Sequence, residues 1–322
     1  MKTIVLISCG KLKLEHAALA KEMYQGTLFK KSWLLAEKNY PKSERYILSA
    51  KHYLLDPDIT IEPYDKTLYG MNVNNKRKWA EKVIQQLKEK KYDLENDLFI
   101  FYAGKDYTNY LIAPKGPIKN YKREFEGEGG IGVTLHNLSK QLDQLMLNFQ
   151  STYLESVAEM RKKLNVDDRP GVYRLWIPQD LIENKLKGFN CDETLSKVIE
   201  GKVYRALYVG MSKNLHERLN WHINDKHTKE TVKSGFISTL RHTIGAFLGD
   251  ENKPLTQLED DVNDFMDSCY FDWEYTYSEG MATYIESELI EKNYYPLNIQ
   301  HNPSLPKDVR INIIKRRKAV KK

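Results

Sequence analysis

Gly171-Val172-Tyr173-Arg174-Leu175-Trp176-Ile177 decides how the second half of this 322-residue chain folds. It has the alternation of a strand, and Tyr204 to Met211, which contains Tyr208-Val209-Gly210, supplies an antiparallel partner. An insertion, Pro178 to Val203, separates the two; Tyr173 and Tyr208 can still pair across neighbouring strands, but the register stays open. Beyond Gly210 a helix is expected, with Ser212 or Asn214 as N-cap. Arg218 and His222, four residues apart, then share one helical face. A second helix over roughly Ser238–Phe247 presents Arg241, and Phe271–Tyr277 alternates as a third strand. The last helix, Gly280 to Lys292, carries Glu286 and leads into Pro296-Leu297-Asn298. Short strands mixed with helices describe an α+β domain with a mainly antiparallel sheet.

Working outward, the chain is long enough for two domains, each with its own core. The expected division is residues 1–150, a linker at 151–169, and a smaller domain over 170–322 ending in a basic tail. Pro170, after Asp167-Asp168-Arg169, marks a surface boundary. No uncharged apolar run is long enough to span a bilayer, so no membrane association is expected. Three scattered cysteines suggest neither a disulfide framework nor a zinc site, and a cytoplasmic location follows. Residues 1–150 hold 24 Lys and Arg against 18 Asp and Glu, a net of +6, while the other 26 basic and 26 acidic residues cancel. A polyanionic partner is allowed, as is a merely Lys-rich solvated surface.

In the first half, Ile4–Ile7, Arg45–Ala50 and Asp97–Gly104 are short apolar runs that end in small polar residues, and helical patterns separate them. One is clear: Lys76 to Lys90, with Trp79, Val83, Ile84 and Leu87 on one face. The alternation predicts an α/β domain with a largely parallel sheet, whose ligand site lies beyond the carboxyl ends of the strands. Those ends offer Ser8, Cys9, Lys11 and Lys13, then Ser49, Lys51 and His52, then Gly104, Lys105 and Tyr107. Taken singly each has a structural reading as cap, turn or packing residue. The spacing of Cys9-Gly10-Lys11 excludes a P-loop. The Gly127–Gly132 cluster is either a weak phosphate loop or a lid.

Two resemblances add to this. Gly171-Val172-Tyr173, Tyr208-Val209-Gly210, Arg218 eight residues after that glycine, and Glu286 twelve before Asn298 form an ordered set. This set resembles the GIY-YIG nuclease superfamily. ESELIEKNYYPLN (286–298) is similar to the end of the nuclease domain of the excinucleases. The long insertion after Ile177 departs from the family's short hairpin. The segments LISCGKLKL (6–14), YILSAKHYLLDPD (46–58) and FYAGKDYTNYL (101–111) resemble an uncharacterised microbial and phage domain. That domain is distantly similar to YaaA-type proteins and the base-processing domain of archaeosine synthases. The likeness implies nucleobase chemistry, with Asp56 and Asp65 as available carboxylates and Lys51 or His52 assisting a departing base.

Phosphodiester hydrolysis needs an activated water, charge neutralisation and a stabilised leaving oxygen. Glu286 fits as the ligand of one hard cation, Mg²⁺ or Mn²⁺. Arg218 fits as a two-donor partner of the scissile phosphate. Tyr173 or Tyr208 orients or activates water, His222 is a second proton-handling group, and Asn298 braces the metal site or substrate. The expected function is a DNA endonuclease, used in restriction or defence against foreign or modified double-stranded DNA. Its first domain either excises a base as a glycosylase or reads DNA without chemistry. The rival reading is a nucleotide-binding or RNA-modifying protein. Cutting both strands from one site per chain calls for a homodimer.

Overall fold

The computed structural model describes residues 1–125, 130–147, 151–186, 189, 191–249 and 253–321. The chain divides into two units, Met1–Leu145 and Met146–Lys322.

In the first unit, β1 (Thr3–Ser8) is a buried apolar run, and its Ile4, Val5, Leu6 and Ile7 have no exposed surface. Such a run must be covered on both faces, which suits the centre of a parallel sheet. It pairs in parallel with β2 (Glu44–Ser49) on one side and β4 (Leu98–Tyr102) on the other. The short β3 (Tyr53–Leu55) adds antiparallel to β2, and β5 (Tyr121–Arg123) adds parallel to β4, giving the order β3-β2-β1-β4-β5. Helices α1 (Thr27–Asn39) and α2 (Val73–Glu89) follow β1 and β3. Asn72 caps α2 by accepting from the Asn75 amide, so the helix starts at Val73, three residues before the expected Lys76. Trp79, Val83 and Leu87 are buried as the periodicity requires, while Ile84 is only partly so. Beyond β4 the chain makes a single helical turn, α3 (Lys105–Thr108). The last helix is α4 (Ile131–Leu147). Gly127 to Gly129 of the glycine cluster lie outside the described residues.

The second unit is built on β6 (Tyr153–Ser156), β7 (Gly171–Pro178), β8 (Ser196–Ile199), β9 (Lys202–Ser212) and β10 (Tyr270–Tyr275). All pairings are antiparallel, in the order β8-β9-β7-β10-β6. Two expectations are corrected here. This unit is the longer of the two, not the smaller. The stretch expected as a linker is also largely structured. β6 is hydrogen-bonded to β10, and the adjoining helix α5 (Val157–Lys162) buries Val157 and Met160, capped by Ser156. Those two apolar residues, three apart among charged neighbours, form a stripe too short to stand out in the sequence.

Part of the insertion after β7 becomes structure at the sheet edge. A helix, α6 (Gln179–Lys185), leads to β8, which turns back into β9 at Glu200-Gly201. Both residues have positive φ, 51° and 78°, as a tight two-residue hairpin demands. The β7–β9 register sets Tyr173 opposite Gly210 and Leu175 opposite Tyr208, with a bulge between Ala206 and Tyr208. Tyr173, Leu175 and Tyr208 therefore share one face of the sheet. The core on that face takes in α7 (Leu215–Asn224) and α8 (Thr239–Leu248), while α9 (Glu279–Lys292) packs along β7 and β9, and the chain closes with α10 (Lys307–Ala319).

Gly171 begins β7 where a side chain has no space. A Cβ there would lie 2.4 Å from the Glu274 carbonyl oxygen and 2.4 Å from Leu215 Cδ1. The first obstacle is backbone of the neighbouring strand and cannot rotate away. Gly171→Ala is expected to destabilise the protein by about 1–3 kcal/mol or more, the usual cost of overpacking, read as a lower midpoint in urea denaturation.

Candidate active site

The bulge in β9 and the loop after α9 bring the chemistry together. Tyr208, Glu286 and Asn298 line one cavity of about 1280 Å³, whose other walls include Thr239, Thr243, Ile314, Arg310 and Arg317. Glu286 is half-buried on α9. Burial pushes its pKa up to about 7, against the Met211 amide that donates to it and the charge of Arg218, both of which favour the carboxylate. Arg218, on α7, lays its guanidinium over the Trp221 ring, 5.2 Å from the centroid. Its charge is also felt by Tyr173, Tyr208 and His222, so α7 directs one fixed cation at the whole cluster.

The two tyrosines take different places. Tyr208 borders the cavity, whereas Tyr173 is buried one layer behind it, with ring centroids 6.1 Å apart. Tyr173 Oη lies 2.6 Å from His222 Nε2, and His222 Nδ1 lies 2.7 Å from Ser238 Oγ. A neutral imidazole has one donor and one acceptor, so Tyr173 and Ser238 take opposite roles toward it. Burial, with Arg218 and Arg241 nearby, lowers the His222 pKa to about 3. The ring is therefore neutral at any ordinary pH and positions Tyr173 rather than storing a proton as imidazolium. Burial also raises both phenols, Tyr173 well above its ordinary value.

Asn298 lines the cavity while its amide is engaged by the backbone. Its Oδ1 accepts from the Val209 amide at 3.0 Å, and its Nδ2 donates to the Val209 carbonyl at 2.7 Å. Both ends are taken by the residue between Tyr208 and Gly210, so Asn298 locks that strand segment to the loop after α9. Arg241 is likewise structural. It is fully buried and donates to the carbonyls of His222 and Ile223 and to Asn263, tying off the end of α7. Ser238, the N-cap of α8 and the partner of His222, carried no signal in the sequence beyond its capping role.

At the strand ends of the first unit, a different set converges. Tyr64 Oη is 2.8 Å from both Ser49 Oγ and Tyr24 Oη. Lys13 and Lys51 place their ammonium groups 4.4 and 5.4 Å from the Tyr64 ring centre, and His52 meets its edge. Cys9 Sγ is 3.2 Å from Tyr107 Oη, whose ring meets Trp79 edge-on. Ser49 Oγ also accepts from the Lys51 and His52 amides, and Ser8 Oγ donates to the Tyr102 carbonyl. Lys11 and Lys105 are exposed, and Gly104 caps α3. The two carboxylates expected here are elsewhere in role: Asp56 accepts from the Asp58 amide in a turn, and Asp65 is exposed. Tyr24 and Tyr64, the centre of the cluster, were missed in the sequence. A tyrosine between Pro63 and Asp65, in an otherwise polar loop, was the available clue. A separate cavity of about 930 Å³ lies between α2 and the Tyr110–Pro117 loop, lined by none of these residues.

An antiparallel sheet and its helices thus set Tyr208 and Glu286 at one cleft, with Tyr173 behind it and the charge of Arg218 directed at all three, an arrangement suited to cleaving a phosphodiester. Residues 171–319 match the GIY-YIG catalytic domain family, so the C-terminal half is a GIY-YIG nuclease domain. Residues 4–140 match a family of unknown function, DUF6884. No curated protein and no solved structure matches the chain.

The raised pKa of Glu286 has a stability consequence. Between its ordinary value and about 7 the folded state holds a proton that the unfolded state releases, so stability falls as pH rises through that window. Glu286→Gln removes the effect. Allowing for the part of the side chain that water reaches, the variant is expected to be about 2 kcal/mol more stable than the parent near pH 8 without metal. The difference should vanish near pH 4; thermal melts at both pH values check this.

Proposed function

We propose that the protein is a metal-dependent DNA endonuclease that acts on foreign or modified double-stranded DNA, with its first unit reading the target. The observation that carries this is the half-buried Glu286 sharing a cleft with Tyr208 under the field of Arg218. A carboxylate held in its charged form at a cost in burial is stabilised by a divalent cation. Among the described residues no cluster of three or more His, Cys, Asp or Glu is placed to hold a metal. The donor set therefore suits a cation that keeps most of its own waters, Mg²⁺ or Mn²⁺, rather than zinc. Such an ion, when bound, supplies Lewis-acid stabilisation of the phosphate oxygens.

The chain's own residues do the rest. Arg218 pairs with the scissile phosphate through two N–H donors. Tyr208 lines the cleft, where it orients the attacking water. Tyr173, fixed by His222 and Ser238, holds Tyr208 from behind. Asn298 keeps β9 and the loop after α9 at constant separation.

The first unit suits a reader better than a glycosylase. Its cluster offers aromatic faces and ammonium groups, which suit bases and phosphates, but neither Asp56 nor Asp65 joins it. One Glu286 site per chain means that cutting both strands takes two copies. Three free cysteines fit a reducing cytoplasm, where incoming DNA is met.

A cleavage screen with Mg²⁺ across duplexes carrying different base modifications tests the whole reading. Glu286→Ala is expected to lower cutting by at least about 10²–10³-fold, while Asp65→Ala leaves it intact. Strand breaks that survive Glu286→Ala would falsify the site. Chromatography of the reaction is expected to show no free base; a released base would restore the glycosylase. Cutting at limiting Mg²⁺ should rise with pH through about 7, because the Glu286 proton competes with the cation. More Mg²⁺ should move that midpoint to lower pH, and a fixed midpoint would separate the acid limb from Glu286.

A further inference from the structure

The cleft that holds Glu286 has a second wall, and that wall is basic. It is formed by the C-terminal helix α10, which places Arg310, Ile314 and Arg317 on the lining of the same cavity. These positions are spaced i, i+4 and i+7, so they fall on one helical face. Lys315, Arg316 and Lys318 belong to the same basic run but are not among the cavity's lining residues. The helix thus presents two selected arginines to the cleft.

Both arginines are tethered through part of their guanidinium. Arg317 Nε donates to His242 Nδ1 at 3.2 Å, and His242 Nε2 donates in turn to the Arg317 main-chain carbonyl at 2.9 Å. His242 is buried on α8, and burial together with Arg317 lowers its pKa to about 4. It stays neutral, which keeps Nδ1 as an acceptor, and a single tautomer satisfies both bonds. Arg310 donates through Nη2 to the Asn302 carbonyl at 2.7 Å, and the Asn302 side chain is fixed on the Tyr295 carbonyl. Both residues line the Glu286 cavity, and Arg317 also borders a smaller one beside His242. A guanidinium tethered on one edge is pre-organised for a two-donor grip on an anion with the other.

We propose that Arg317 and Arg310 bind phosphates of the DNA backbone flanking the one that is cut, making α10 the register-setting wall of the nuclease cleft. They are positioning residues, and His242 orients the first of them. The inference rests on the reading of the Glu286 cleft as the cutting site, and the test keeps the two apart.

The experiment uses the full-length protein and a labelled DNA duplex. Binding is measured across a salt series in the Glu286→Gln background, so that cleavage does not intervene. Arg317→Ala is expected to weaken binding and to reduce the slope of log K against log salt by about one. Lys315→Ala removes the same charge from the same helix outside the cavity and should leave the slope nearly unchanged. In the otherwise native enzyme Arg317→Ala is expected to raise KM with kcat largely retained, since flanking contacts bind ground state and transition state alike. Arg317→Lys keeps the charge but loses the bond to His242, and should restore the salt slope more fully than the affinity. A thermal melt confirms that each variant folds; should Arg317→Ala not fold, Arg310→Ala takes its place in the same series. An unchanged slope in Arg317→Ala, or an equal loss in Lys315→Ala, overturns the proposal. If that result came with cleavage still abolished by Glu286→Gln, the cutting site would stand and only the flanking role would fall. Full cleavage by Glu286→Gln would instead remove the site itself.

Discussion

The packing of the Tyr173 ring over Gly210 is the constraint on which the nuclease unit depends. A Cβ at Gly210 would lie 2.5 Å from both Cζ and Oη of Tyr173, so only glycine lets the phenol lie across its neighbour strand. With the ring seated there, its hydroxyl reaches His222, and His222 reaches Ser238 at the start of α8. One close approach between two strands thereby fixes the relative positions of the sheet, α7 and α8. The bulge at Ala206–Tyr208 completes the arrangement by turning Tyr208 to the same face, at the edge of the cleft. The glycines of the two motifs are thus steric requirements, and the tyrosines divide into one that faces the cleft and one that supports it.

The electrostatic design runs against stability at one point. Three titratable groups of the cluster (Tyr173, Tyr208 and His222) are held in their neutral forms by burial, which costs little. Glu286 alone would have to be charged to hold a cation as proposed, and its surroundings resist that. Arg218 lies close enough to favour the carboxylate but does not restore its ordinary pKa. A strong ion pair would lower the pKa further, yet it would also occupy the oxygens that a cation needs. On the proposed reading the carboxylate is left short of positive charge, which a bound divalent cation would supply.

Much of this was legible in the sequence, for reasons that differ by residue. The parallel sheet showed in β1 because a strand buried on both faces must be apolar throughout. Arg218 and Glu286 stood out as candidates because an ordered set of GVY, YVG, an arginine, a glutamate and an asparagine at these spacings is hard to obtain by chance. The role of Asn298 did not show: an asparagine bridging a backbone N–H and C=O across 89 residues is a tertiary fact with no local pattern. The same holds for Tyr64, whose partners Ser49, Tyr24 and His52 come from distant segments. The assumed linker failed for the opposite reason, since its stripe of Val157 and Met160 is real but too short to exceed the noise of a polar stretch.

The division between Tyr173 and Tyr208 bears on which group can meet the attacking water. Tyr173 is sealed from solvent and bonded to a neutral imidazole, so ionising it would bury a phenolate beside a ring that cannot readily accept charge. Tyr208 borders the cleft, and its burial is partly offset by its bond from Tyr173 and by Arg218. A cation at Glu286 would add to that offset on the cleft side and leave Tyr173 almost untouched. If a phenol deprotonates in the proposed reaction, Tyr208 is the better placed of the two, and the buried chain of Tyr173, His222 and Ser238 holds the ring packed behind it.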